Sequence, residues 1–451
     1  MMEKRINPLV QRIKYIYPRV GVLLLFVGFV VCLFIFPFTI TNDGKIRYQF
    51  MDTLVHQFHI VPMKYSMVGP LFSLPLWLIS SFLKLKDPSS IIERYNFLLF
   101  VLLILILYLW LKNQFEKKFL LTFFFILAFG SMFPAHLINY FGEVFSAVCL
   151  TLGSVGLALN KKWVGWSLLI LAVLNTPALL VPFTLVVLYI TWESKKIRHL
   201  FFLPACLILM VVESYLRTNS ITAGFQTYIS QDQGFKTILP YSGGVGFSYP
   251  FAFGILSILL SFGKGLIFYC PGLLLIGWAW KYISDPVERK IIVLWFLILA
   301  GLIFVYASWW AWYGGSFWGP RFFLFASVPA SWILARLLHA RERSLLMSAV
   351  LLLFVTLSFW VGVNGVVFNQ RTLDICSANN YALEHLCWYV PEFSALWRPF
   401  VVHRVFSKRL PLLFAITWLY IVSPLAIALF HQLKITFQAN HALFRLSSWK
   451  F

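Results

Sequence analysis

What most limits the folds open to this chain is that apolar runs long enough to cross a hydrocarbon layer of about 30 Å recur from end to end. In such a layer no water satisfies backbone polar groups, so only helices or a closed barrel can span it. The 451 residues are 60% hydrophobic and 12% charged, with a mean hydropathy of +0.82. A barrel would need short alternating strands, which the sequence lacks. The expected fold class is an all-α polytopic membrane protein made of one integral domain, 1–451.

The formal charge of +21 could suggest nucleic acid, but no basic run stands outside the spans. Lys and Arg sit mostly in short connections, as the positive-inside bias and anionic headgroups require. Residues 1–19 carry Lys4, Arg5, Arg12, Lys14 and Arg19 ahead of a span with no small-residue cleavage site. They read as a cytoplasmic start and a retained first helix, about 20–40. The chain then enters a long outer loop, 41–94. Its apolar stretch 67–83 contains Pro70 and Pro75 and is read as a helix lying in the outer leaflet, because counting it as a crossing would put Lys117 and Lys118 on the wrong side.

Further crossings are expected at 96–111, 119–137 and 144–159. The stretch 163–192 has basic flanks and is read as two short helices meeting at Thr176-Pro177. Crossings at 200–216, 266–280, 291–307, 322–338, 345–363 and 411–430 bring the total to about twelve, both termini inside. Outer connections are then 217–265, 308–321 and 364–410, and 431–451 is a cytoplasmic tail. Cys32, Cys149, Cys206 and Cys270 fall in spans as packing residues. Cys376 and Cys387 share the last outer loop, where an oxidising compartment would permit a disulfide.

The loop SWWAWYGGSFWGPRFF, 308–323, gathers Trp309, Trp310, Trp312, Trp318 and Tyr313 around Gly314, Gly315, Gly319 and one charge, Arg321. One reading is an interfacial aromatic belt with a snorkelling Arg. The other is a ligand platform, since glycines admit close backbone approach and a guanidinium grips phosphate oxygens bidentately. Asp43, just past the first crossing, and Glu143, at the start of another, fall on the same outer side with the cations Lys64, Arg94, Lys264 and Arg321. Charges at membrane depth are costly unless they pair or line a wet cavity.

This pattern suits sugar transfer from a polyprenyl phosphate. The donor already carries a good leaving group, so one carboxylate can orient and deprotonate an acceptor hydroxyl while cations hold the phosphate as charge builds on it. Asp43 is the candidate base. Lys64, Arg94, Lys264, Tyr313, Trp318 and Arg321 are the candidate substrate-binding residues. A proton-coupled transporter would instead call for ionisable residues in mid-span, and the crossings are almost free of them; Glu213, near the outer end of 200–216, is the one exception.

Three stretches carry a family resemblance. They are Asn42-Asp43 after the first crossing, LSFGKGLIFYCP at 260–271, and WYGGSFWGPR at 312–321. The chain resembles the GT-C superfamily of polyprenyl-phosphate-sugar glycosyltransferases, on the branch of protein O-mannosyltransferases and bacterial lipid A aminoarabinose transferases. The resemblance implies a GT-C-like bundle with lateral helices in the first outer loop. It also implies an inverting transferase of the bacterial inner membrane with a periplasmic site, a lipid-linked sugar as donor, and a glycan, lipid or protein acceptor, and by position Glu143 resembles the second catalytic acidic residue of such families. The chain departs from that pattern in having Asn-Asp where the family has a carboxylate pair, and Thr176-Pro177 where a basic residue is usual. No cofactor is assigned. A divalent cation stays open, although a single Asp is a poor cage for a hard ion. The alternatives are a lipid or sugar transporter using the same basic outer cavity, and a protein that keeps this fold without catalysis.

Overall fold

The computed structural model describes residues 8–221, 233–340, 342–368, 374–402 and 409–447. Parts of the expected cytoplasmic start (1–7), of the loops 217–265 and 364–410 (222–232, 369–373 and 403–408) and of the tail (448–451) lie outside the described residues. Within them the chain is all-helical and forms no strand; an isolated bridge pairs Thr39 with Asn139. Eight helical segments are long and apolar enough to cross a membrane, among them Pro18–Ile35, Ser89–Leu111, Pro286–Ala307 and Leu345–Val367. Their outward faces are apolar too: Phe34 is 77% exposed, Ile208 63% and Ile427 71%. So much apolar surface facing outward fits lipid contact, and the chain reads as a multi-pass integral membrane protein.

The other four expected crossings are built from shorter or broken helices. The first, 119–137, is Lys117–Phe129 followed, after a break at Gly130, by Phe133–Leu137. Glu143–Ala158 and Lys162–Asn175 pack against each other at Gly153, Gly156 and Gly165, where a Cβ would crowd the facing chain. Small residues allow this close approach between helices in lipid. The stretch 266–280, expected as one crossing, is not a continuous helix. It consists of Leu266–Tyr269, a 3-10 turn Pro271–Leu275 and a short helix Ile276–Trp280, because Pro271 withholds the N–H that a helix would use.

Local signals explain several boundaries. Asp285 caps Pro286–Ala307 by accepting from the Glu288 N–H at 2.8 Å, with Pro286 in the first turn. Ser344 caps Leu345–Val367 in the same way through the Met347 N–H. At Thr176 the backbone is extended (φ −139°, ψ 93°), and Pro177 then starts the turn leading to Leu180–Ser194. The expected break at Thr176-Pro177 is therefore present.

The stretch 67–83 folds as two short helices, Val68–Leu71 and Leu74–Phe82, with no single helix long enough to cross. It belongs to one end of the bundle. Gly69 N–H donates to Asn175 Oδ1 (3.2 Å), and the Asn175 amide donates to the Gly142 carbonyl (2.9 Å) and Ser146 Oγ (2.8 Å). Thr39 N–H donates to the Ile138 carbonyl at 2.8 Å. These bonds gather the exits of several helices at that end. At the other end Lys290 pairs with Glu193, Arg289 lies over Trp280, and Tyr282 donates to the Glu342 carbonyl.

Candidate active site

Asp43 opens the helix Asp43–Gln57 and Glu143 opens Glu143–Ala158, so both carboxylates sit at helix N-termini, where the backbone dipole favours negative charge. The Thr39 contacts with 138–139 lay the two starts side by side. Between the first helix and Asp43 the chain turns at Asn42, which adopts φ +48°; Asn is among the few non-glycine residues that tolerate this region. Gly44 then packs against the Tyr140 carbonyl.

Arg321 joins them. Its Nη1 donates to Asp43 Oδ2 at 2.9 Å and lies 3.4 Å from Glu143 Oε1. The guanidinium is 4.3 Å from the Phe317 ring centroid and 5.3 Å from that of Phe322, a stacked and largely desolvated setting. Its Nε–H is buried with no hydrogen-bond partner. The other Asp43 oxygen accepts from the Tyr65 hydroxyl at 2.7 Å. Burial acts to raise the Asp43 carboxyl, but the Arg321 charge and the hydrogen bonds from Tyr65 and Arg321 outweigh it and hold the group below the usual carboxylate range.

The glycines of the aromatic loop position the arginine. Gly314, Gly315 and Gly319 take φ of +73°, +78° and +66°, which side chains resist. A Cβ on Gly314 would also crowd the Arg321 stem. Lys264 holds this turn from beneath. Its Nζ donates to the carbonyls of Gly315 (3.1 Å), Phe317 and Gly319 (2.8 Å), and it lies 5.0 Å from the Trp388 ring centroid. An ammonium has three donors and all three are committed, so the expectation that Lys264 grips a phosphate gives way to a role in shaping the loop that presents Arg321.

Of the expected site residues, the fold brings Asp43, Glu143 and Arg321 together. Lys64 is exposed, its ammonium 6.0 Å from the Tyr65 ring centroid. Arg94 is not held by this cluster: it pairs with Glu93 at 2.7 Å and lies over the Phe38 ring. Tyr313 and Trp318 are buried. Tyr313 bonds Ser242 (3.0 Å) and stacks on Trp388, and Trp318 donates to Asn364 (2.8 Å). Both therefore brace the loop. Cys376 and Cys387 form a disulfide beside this framework, and the Gly263 N–H donates to the Trp388 carbonyl at 3.0 Å.

Sequence reasoning missed Tyr65 and Arg47. Arg47 is buried against Gly142 and lies 5.2 Å from the Tyr65 ring centroid. Its i+4 spacing from Asp43 on one helix was the available signal; Tyr65 had none. Glu213 proves to be a clamp. It pairs with Arg217 at 2.9 Å and accepts from the Met67 N–H, while Arg217 donates to the Met63 carbonyl (2.8 Å). Together they fix the backbone on either side of Tyr65.

At the opposite end, Gln114, Glu116, Tyr282, Asp285, Arg336 and His339 help to line a cleft of ≈ 540 Å³, with buried Glu288 bonded to Arg336 and Trp332. Among the described residues no group of three or more His, Cys, Asp or Glu is gathered as a metal site. The chain matches no protein-family model, no curated protein and no solved structure.

Proposed function

We propose that the protein is a GT-C-type membrane glycosyltransferase that moves a sugar from a polyprenyl-phosphate donor to an acceptor hydroxyl on the extracytoplasmic face, with inversion. The observation that carries this reading is the Arg321 guanidinium set between Asp43 and Glu143, which are 278 and 178 residues away in sequence, at the end of the bundle where the helix exits meet. Asp43 takes the proton of the acceptor hydroxyl. The acceptor oxygen bonds to the anomeric carbon as the bond from that carbon to the phosphate oxygen breaks. The electron pair leaves on the phosphate, whose charge Arg321 stabilises. Glu143, 3.4 Å from the same Nη1, helps to hold the guanidinium in place.

The test is transfer of radiolabelled sugar in membranes carrying the protein, offered a panel of lipid-linked sugars. Asp43→Asn should abolish transfer, and Arg321→Gln should lower it by roughly a hundredfold or more. Wild-type membranes that transfer no sugar from any donor would defeat the proposal. A transporter reading draws on the cleft at the opposite end. It predicts lipid or sugar translocation that is indifferent to Asp43→Asn.

A further inference from the structure

Arg321 meets its carboxylates in an incomplete way. One nitrogen, Nη1, carries both contacts, at 2.9 Å to Asp43 and 3.4 Å to Glu143, while the buried Nε–H has no partner. A guanidinium satisfies an oxyanion best as a fork, through two parallel N–H groups. A phosphate would therefore offer Arg321 a better match than Asp43 does, including an acceptor for the orphaned Nε–H. Asp43 meanwhile has both oxygens engaged, one by Tyr65 and one by Arg321. Each oxygen keeps a further lone pair, but the guanidinium charge at 2.9 Å makes the carboxylate a poor proton acceptor while the two are in contact.

We propose that Asp43 and the donor phosphate compete for Arg321, so that the base stays masked until the anion docks and is then unmasked by it. This inference rests on the reading of Arg321 as a phosphate holder. Docking draws the guanidinium from Asp43 Oδ2 onto the phosphate, and Asp43, still oriented by Tyr65, is freed to accept a proton from the acceptor. The order is donor first, acceptor second. A protein with an empty donor site thus holds no active base to misdirect. A ligand shifts such an equilibrium only by its preference for one state over the other, and here the preference lies in the released guanidinium.

The competition makes a counterintuitive prediction. Removing the Asp43 charge should tighten phosphate binding while it destroys transfer. Binding of dodecyl phosphate and of inorganic phosphate to the detergent-solubilised full-length protein would be measured for wild type, Asp43→Asn and Arg321→Gln. A charge-assisted hydrogen bond is worth enough to change affinity roughly tenfold, so Asp43→Asn should bind dodecyl phosphate about tenfold more tightly and Arg321→Gln should lose binding. Difference infrared spectra of the wild type give a second readout that needs no variant to fold: dodecyl phosphate should shift a carboxylate stretch as Asp43 is released.

Equal or weaker binding by Asp43→Asn, or an unshifted carboxylate band on binding, overturns the masking while leaving the phosphate site standing. Absence of binding to wild type and Asp43→Asn alike overturns the phosphate reading itself. If inorganic phosphate alone binds and is tightened by Asp43→Asn, the masking holds and the ligand is a free anion in place of a lipid headgroup.

Discussion

Asp43 shares its charge with Arg321 across a partly desolvated contact, and the sign of the resulting pH dependence follows from its depressed pKa. The unfolded carboxyl titrates near 3.9. The pair's contribution to stability is thus complete above that value and fades as pH falls through the lower folded one. Melting temperatures of wild type and Asp43→Asn should differ near neutrality and begin to converge only below about pH 4. An offset that is constant into stronger acid would mean that the pair contributes nothing. Lys264 tests the loop. Lys264→Met strands three carbonyls beneath the aromatic turn, and buried unsatisfied acceptors cost about 1–3 kcal/mol each, so this variant should melt well below wild type. Were Lys264 a phosphate holder, the same change would weaken phosphate binding and leave the melting temperature nearly intact.

Among the helices, the sequence was most legible where chemistry is local. Thr176-Pro177 announced a break, and the paired prolines of 67–83 argued against a regular crossing; both appear in the structure. The reading of 266–280 as one helix failed because hydropathy reports burial and is blind to the Pro271 turn. Tyr65 and the Glu213–Arg217 clamp were illegible for another reason: each acquires its role from a segment about 150 residues away or from a neighbour that only the fold supplies. The Glu288–Arg336 pair is similar, joining Pro286–Ala307 to Ser327–Leu338 through bonds to both carboxylate oxygens. Removing one partner of a buried pair costs about 3–5 kcal/mol. Glu288→Gln should therefore lower the melting temperature sharply while leaving phosphate binding at the far end unaltered, and loss of that binding would show the two ends to be coupled.

For the molecule as a whole, the end that carries Arg321 is fastened by the segment that follows the Leu345–Val367 helix. Trp388 lies beside Lys264 and against Tyr313, and Cys387 is bonded to Cys376, eleven residues earlier. Closing a loop of that size restricts the unfolded chain by roughly 3 kcal/mol. The double variant Cys376→Ser/Cys387→Ser should lose stability of that order and expose the 374–400 segment to protease, whereas unchanged proteolysis would show that aromatic packing alone secures it. The cluster has a consequence for biosynthesis as well. Ribosomes deliver the N-terminus first, so the two acids at 43 and 143 emerge long before the cation at 321. The nascent protein must keep both of them wet while more than half of its length is still unmade, and the late-arriving guanidinium is the stitch that draws the finished bundle shut.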